Sequence, residues 1–79
     1  MKLIIYEIAG WYGAFALLLS YGLVSYGAIS GESVLYQVLN ITGALGLLTI
    51  AFAKKVYQSV TINIIWALIG IFALLKLFF

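Results

Sequence analysis

The chain has 79 residues, of which 67% are apolar and 8% are charged. A soluble domain this short hides about 60% of its unfolded surface, and ordinary domains are about 45–50% apolar and about 25% charged, so lipid rather than water is the implied solvent. The net charge of +2 is too small and too dispersed for nucleic acid. Without Cys, His, Arg or Asp there is no disulfide, no usual zinc ligand set, no imidazole base and no guanidinium clamp, so no cofactor, metal or enzymatic role is expected.

Six charged residues divide the chain: Lys2, Glu7, Glu32, Lys54, Lys55 and Lys76. The uncharged runs between them cover residues 8–31, 33–53 and 56–75. About 20 helical residues cross a hydrocarbon core about 30 Å thick, and each run is that long. In lipid the backbone must satisfy its own hydrogen bonds, and three continuous apolar segments cannot close a barrel. The sequence therefore predicts an all-α fold, a single transmembrane domain over 1–79. It would be a three-helix bundle completed by homo-oligomerisation, with helices over about 4–29, 33–53 and 57–78. The first run is longer than a signal-peptide core, and Glu7 stands where cations are expected, so it reads as a helix that is retained.

The first helix carries Ala9, Gly13, Ala16 and Ser20 at steps of four, three and four, a small-residue face for close packing. Ser20-Tyr21-Gly22 recurs as Ser25-Tyr26-Gly27, but a five-residue step turns the copies to different faces, and the echo reads as chance. Glu7, in the predicted first turn, suits the helix dipole; a proton-coupling carboxylate is the sharper alternative. Glu7 and Glu32 fall at opposite ends of this helix, roughly 37 Å apart at helical rise, and cannot form a catalytic pair.

Ser30-Gly31-Glu32-Ser33 is a turn, with Ser33 placed to cap the second helix. That helix shows Tyr36, Asn40, Gly43, Ala44 and Leu47 on one face. Lys54 and Lys55 follow at its carbonyl end, where the dipole favours cations. The third helix has Asn63, Ala67, Gly70 and Leu74 on one face, with Trp66 and Ala73 beside it. Gly43 and Gly70 read as packing positions. Asn40 and Asn63 lie at different depths, and an unpartnered amide in hydrocarbon costs several kcal/mol, so both are expected to face protein or water. One reading is an interhelical hydrogen bond; the other is a polar cavity that binds a substrate through Asn63, Trp66, Asn40 and Tyr36. Trp11, Tyr12, Tyr36, Tyr57, Phe78 and Phe79 sit near span ends, as interfacial aromatics do, and Lys76 is near enough to the C-terminus to snorkel.

Leu19-Ser20-Tyr21-Gly22 followed by Ser30-Gly31-Glu32-Ser33, the helix over Tyr36–Leu48, and Asn63 within Ile62-Asn63-Ile64-Ile65 resemble the bacterial SemiSWEET half-transporters and the wider PQ-loop group. The resemblance implies a homodimer with Asn63 in a solute pocket. Ser20-Tyr21 stands where that group has Pro-Gln, no proline occurs anywhere, and Leu47 falls near its middle-helix tryptophan. The pattern Tyr36, Gln37, Asn40, Gly43, Ala44 is more closely similar to small uncharacterised bacterial three-helix proteins.

Two functions compete. A half-transporter for a small polar solute needs a second copy to complete its path, since three helices enclose none readily. An accessory or assembly subunit of a larger membrane complex would dock other subunits through its small-residue faces. Lys2, Lys54 and Lys55 against Lys76 place the N-terminus in the cytoplasm of a bacterial inner membrane by the positive-inside rule, whereas the SemiSWEET resemblance implies the opposite orientation.

Overall fold

The computed structural model describes residues 2–79, with the backbone alone for Lys2. The chain is all-α: α1 spans Lys2–Ser25, α2 Val34–Ala53 and α3 Tyr57–Phe78. All three are long and apolar enough to cross a membrane. Met1 and the Lys2 side chain, on which part of the lysine count rests, lie outside the described residues.

The first helix ends four residues before the predicted position, at Ser25 instead of 29. Gly27 adopts a left-handed φ of 77°. Its N–H bonds the Val24 carbonyl at 3.0 Å, and the Ala28 N–H bonds the Leu23 carbonyl at 2.8 Å. This crossed pair is the Schellman stop, which favours glycine because a side chain at positive φ clashes with its own backbone. The second copy of the Ser-Tyr-Gly echo, read as chance, thus contributes the glycine that ends α1.

Ser33 then caps α2: its Oγ accepts the Tyr36 N–H at 3.1 Å. The far end of α2 repeats the Schellman pattern with a poorer residue. Lys55 takes φ 60°, its N–H bonds the Phe52 carbonyl at 3.1 Å, and the Val56 N–H bonds the Ala51 carbonyl at 2.9 Å. The left-handed conformation costs a non-glycine residue about 1–2 kcal/mol, which the two bonds and the cation at the helix C-terminus offset.

Two tight turns make the three helices successive antiparallel neighbours. α2 packs against both α1 and α3, but among the described residues no Cα of α1 comes within 8 Å of a Cα of α3. The expected three-helix bundle is therefore not closed. The helices form a layer with α2 in the middle, inside a Cα envelope of 38 × 24 × 18 Å. The short turns explain this order, because each joins only sequence neighbours.

Burial follows the small residues. Gly10, Gly13, Ala16 and Ser20 are buried on α1; Asn40, Gly43, Ala44, Gly46 and Ala51 on α2; Asn63, Ala67 and Gly70 on α3. Ala9 is half-buried. Most large apolar side chains point outward, among them Trp11, Phe15, Leu18, Ile69 and Phe72. This is the inverse of a water-soluble fold, where large side chains fill the core.

Candidate functional site

The two helix pairs touch in different ways. Between α1 and α2 the contact is backbone on backbone. A Cβ added at Gly13 would run into the Gly43 carbonyl oxygen and come 2.8 Å from the Leu47 nitrogen. A Cβ at Gly46 would strike the Ala9 carbonyl oxygen, and one at Gly10 would come 2.6 Å from Ile50 Cγ2. Glycine spacing of three on each helix, Gly10–Gly13 and Gly43–Gly46, permits this approach, in which Cα–H groups face carbonyl oxygens. Gly10 and Gly46 lie beside the expected faces of Ala9, Gly13, Ala16 and Ser20 and of Tyr36, Asn40, Gly43, Ala44 and Leu47; the paired G-x-x-G spacing was the available signal. The face on Ala9, Gly13, Ala16 and Ser20 is occupied by α2 of the same chain, so it is not free to join a second copy.

One side-chain bond reinforces this pair. Tyr12 and Thr42 hydroxyls lie 2.7 Å apart, and the Thr42 hydroxyl also donates to the Val38 carbonyl at 2.7 Å. A hydroxyl has one proton, so the Tyr12 O–H is the donor to Thr42. At the end of the pair, Glu7 and Lys54 approach to 3.9 Å with both side chains about half exposed. α1 begins at Lys2, so Glu7 lies beyond the first turn, and its partner is Lys54 instead of the helix terminus alone.

Between α2 and α3 the packing is looser and leaves a groove. A hollow of about 260 Å³ is lined by Tyr36, Gln37, Asn40, Trp66, Ile69 and Gly70. Three of the four expected substrate-binding residues, Tyr36, Asn40 and Trp66, meet here. Gly70 opens the wall: a Cβ there would lie 2.8 Å from Ile41 Cγ1 and 3.5 Å from the Gln37 amide oxygen.

Asn63 is not among the lining residues. Gly70, packed on Gln37 and Ile41, is level with Asn40, and Asn63 lies seven residues before it on α3, roughly 10 Å along the axis. Asn63 was expected to need a partner on another helix, water or a ligand, and to share one space with Trp66. Among the described residues the Asn63 amide finds its partner on its own helix, and Asn63 and Trp66 do not line a common hollow. The Asn63 amide donates to the Ser59 carbonyl at 2.9 Å and lies 3.2 Å from the Ser59 hydroxyl, one turn back on its own helix. Trp66, about half exposed, sits nearly one turn further along and roughly 60° around the helix from Asn63, and lines the groove with Tyr36 and Asn40. Ser59, four residues before Asn63, was the missed partner; back-bonding to i−4 is open to any helical amide with that reach.

Asn40 back-bonds likewise, Nδ2 to the Tyr36 carbonyl at 3.0 Å. Its Oδ1 receives only a long 3.5 Å approach from Ser20, whose proton is already directed to the Leu17 carbonyl at 2.9 Å. The Asn40 carbonyl thus keeps acceptor capacity on the side that faces Ser20 of α1. The Gln37 amide donates to the Gly31 carbonyl at 3.4 Å. Among the described residues no hydrogen bond occupies the Tyr36 hydroxyl or the Trp66 indole N–H. The residues that line the groove therefore carry a hydroxyl, an indole donor and two amides, with no charge and with two aromatic rings among them.

The opposite half of α2 is open as well. Leu47 and Ile50 line one hollow against α1, of about 240 Å³, and another against α3, of about 200 Å³. The same face of α2 is thus uncovered between the two flanking helices.

A family model matches residues 6–79, and the chain belongs to that uncharacterised family. No curated protein and no solved structure shows significant similarity to it.

Proposed function

We propose that this family member is a multi-pass membrane protein that carries a small, uncharged polar solute as a homo-oligomer, each chain supplying half of the path. The observation that supports the reading most is the groove at Tyr36, Gln37, Asn40 and Trp66. It holds uncommitted donors and acceptors within a helix pair whose outward surface is otherwise apolar. Polar groups in a span are costly and mark solute paths when they face a shared cavity. The open layer gives a second reason. With α1 and α3 apart, the face of α2 between them needs a cover, and a second copy turned face to face would enclose the grooves of both chains. The SemiSWEET resemblance agrees with a half-transporter, though the groove centres on Asn40 and not on Asn63.

The alternative is an accessory subunit whose open face is covered by a different membrane protein. Mass measurement of the purified chain in lipid nanodiscs separates the two: a homo-oligomer is expected, and co-purification with a foreign subunit at fixed ratio would overturn the carrier. The second test is uptake of labelled neutral solutes, a hexose, glycerol and an amide, into proteoliposomes. Absence of saturable uptake across the panel defeats the carrier reading.

Orientation follows the lysines. Lys54, paired with Glu7, stands at the opposite end of the layer from Glu32 and Lys76. With the N-terminus and Lys54 in the cytoplasm of a bacterial inner membrane, Lys54→Cys resists an impermeant thiol reagent in intact cells; labelling there would reverse the topology.

A further inference from the structure

The hollows at Leu47 and Ile50 belong to a face of α2 that stands back between its neighbours. Tyr36, Asn40, Gly43, Leu47 and Ile50 fall on that side and are buried or half-buried, whereas Val38, Leu45 and Phe52 on the other side are exposed. The front of the layer is therefore concave and its back convex. Two charges border the front at one end. Glu7 lines the hollow between α1 and α2, Lys54 lines the hollow between α2 and α3, and Leu47 and Ile50 line both. The two charged groups approach to only 3.9 Å and keep 48% and 51% of their side chains exposed, so each has room for a second partner of opposite sign.

We infer that two copies pair front to front about a two-fold axis along the membrane normal, with Glu7 and Lys54 of each copy alternating in a ring of four charges around that axis. The inference rests on the homo-oligomer proposed above and adds its orientation, its contact and its closed end. The lysine distribution gives every copy the same orientation in the membrane, so the copies stand parallel with these charges at one depth. A two-fold axis between parallel fronts sets α1 opposite α3 of the other copy, and α2 opposite α2. The anion carried by α1 then meets the cation at the α2–α3 turn, twice over. The front is thus self-complementary in charge, as a contact between identical patches requires. Acyl chains would fill the concavity but leave each Glu7 and Lys54 with the one loose partner it already has. The ring closes the space between the copies at the Lys54 end. Tyr36 and Asn40 lie toward the other end of α2, which the ring leaves open.

Reversing the two charges tests this. Differently labelled copies are reconstituted in phosphatidylcholine vesicles, and their association is measured by energy transfer. Glu7→Lys alone and Lys54→Glu alone each put four like charges in the ring. Each is expected to weaken self-association about tenfold, the scale of two half-exposed ion pairs lost. An equal mixture of the two variants restores both contacts between copies, though not those within a chain, and should recover most of the loss. An ion pair confined to one chain gives no recovery on mixing. Both side chains are half exposed, so helicity by circular dichroism should be unchanged in every variant. The chain has no cysteine, so a disulfide between Glu7→Cys in one copy and Lys54→Cys in the other reads the contact directly. Phe52→Cys, on the convex back near the same depth, should form none with Glu7→Cys. Mixing without recovery, or a disulfide that forms equally well with Phe52→Cys, overturns the inference while the homo-oligomer stands. A wild-type chain that stays monomeric in vesicles, or associates only with a foreign subunit, overturns both.

Discussion

The α1–α2 and α2–α3 pairs are built from the same kinds of residue and differ in what separates the helices. In the first pair glycine stands opposite glycine, and the Gly13 and Gly46 positions abut carbonyl oxygens of the partner helix. In the second pair Gly70 stands opposite side chains, those of Ile41 and Gln37. A backbone contact has no rotamers and closes where glycine meets a carbonyl oxygen, although the same pair opens a hollow of about 240 Å³ beside it at Leu47 and Ile50. A contact made through side chains leaves hollows wherever their shapes fail to mesh, and here the hollow collects Tyr36, Asn40 and Trp66. One pair thus meets main chain to main chain, and the other leaves the space that the proposed solute would enter.

The largest effect is expected where backbone meets backbone. Gly13→Leu forces α1 away from α2, because the obstructing atoms belong to the main chain and cannot rotate aside. The loss should be about 3 kcal/mol, and about 2 kcal/mol for Gly46→Ala, read as lowered thermal midpoints in detergent. If both variants keep the wild-type midpoint, the glycine seam is not the main-chain contact described here.

Next comes the contrast between the asparagines. Asn40→Leu removes an amide that lines the groove and should lower saturable uptake about tenfold, a shift equivalent to about 1.4 kcal/mol. Asn63→Leu should leave uptake unchanged, since Asn63 back-bonds Ser59 outside the groove. The opposite ranking would move the site to Asn63 and break the assignment of the groove.

Smaller changes sharpen the comparison. Gly70→Ala meets side-chain atoms alone, Ile41 Cγ1 and Cδ1 and the Gln37 amide oxygen, and alanine gains about 1 kcal/mol of helix propensity against that cost. Its midpoint should therefore stay close to wild type, in contrast to Gly46→Ala, while the groove narrows and solute affinity falls. Lys55→Gly should raise stability by about 0.5–1 kcal/mol: it relieves the left-handed φ and gives back part of the gain as chain entropy. The least effect belongs to Tyr12→Phe, which deletes one interhelical hydrogen bond and should cost about 0.6 kcal/mol in the same thermal assay.

By itself the sequence determined the number of helices, the limits of α2 and α3 and the side of each helix that is buried, but not where α1 stops. Charge spacing marks the span limits, since a charge is costly in hydrocarbon, and small residues at helical steps mark the only surfaces where backbones approach closely. Ser33 as the cap of α2 was legible for a similar reason, because capping is a local hydrogen bond between near neighbours. The meeting of Tyr36, Asn40 and Trp66 in one groove, the separation of Asn63 from it, and the open arrangement of α1 and α3 were decided by tertiary structure. Each depends on the axial register between helices and on which neighbour a helix faces. Register is set by where Gly13 meets Gly43 and where Gly70 meets Ile41, and no pattern within a single helix carries that information, because a helix repeats its faces every turn along its whole length.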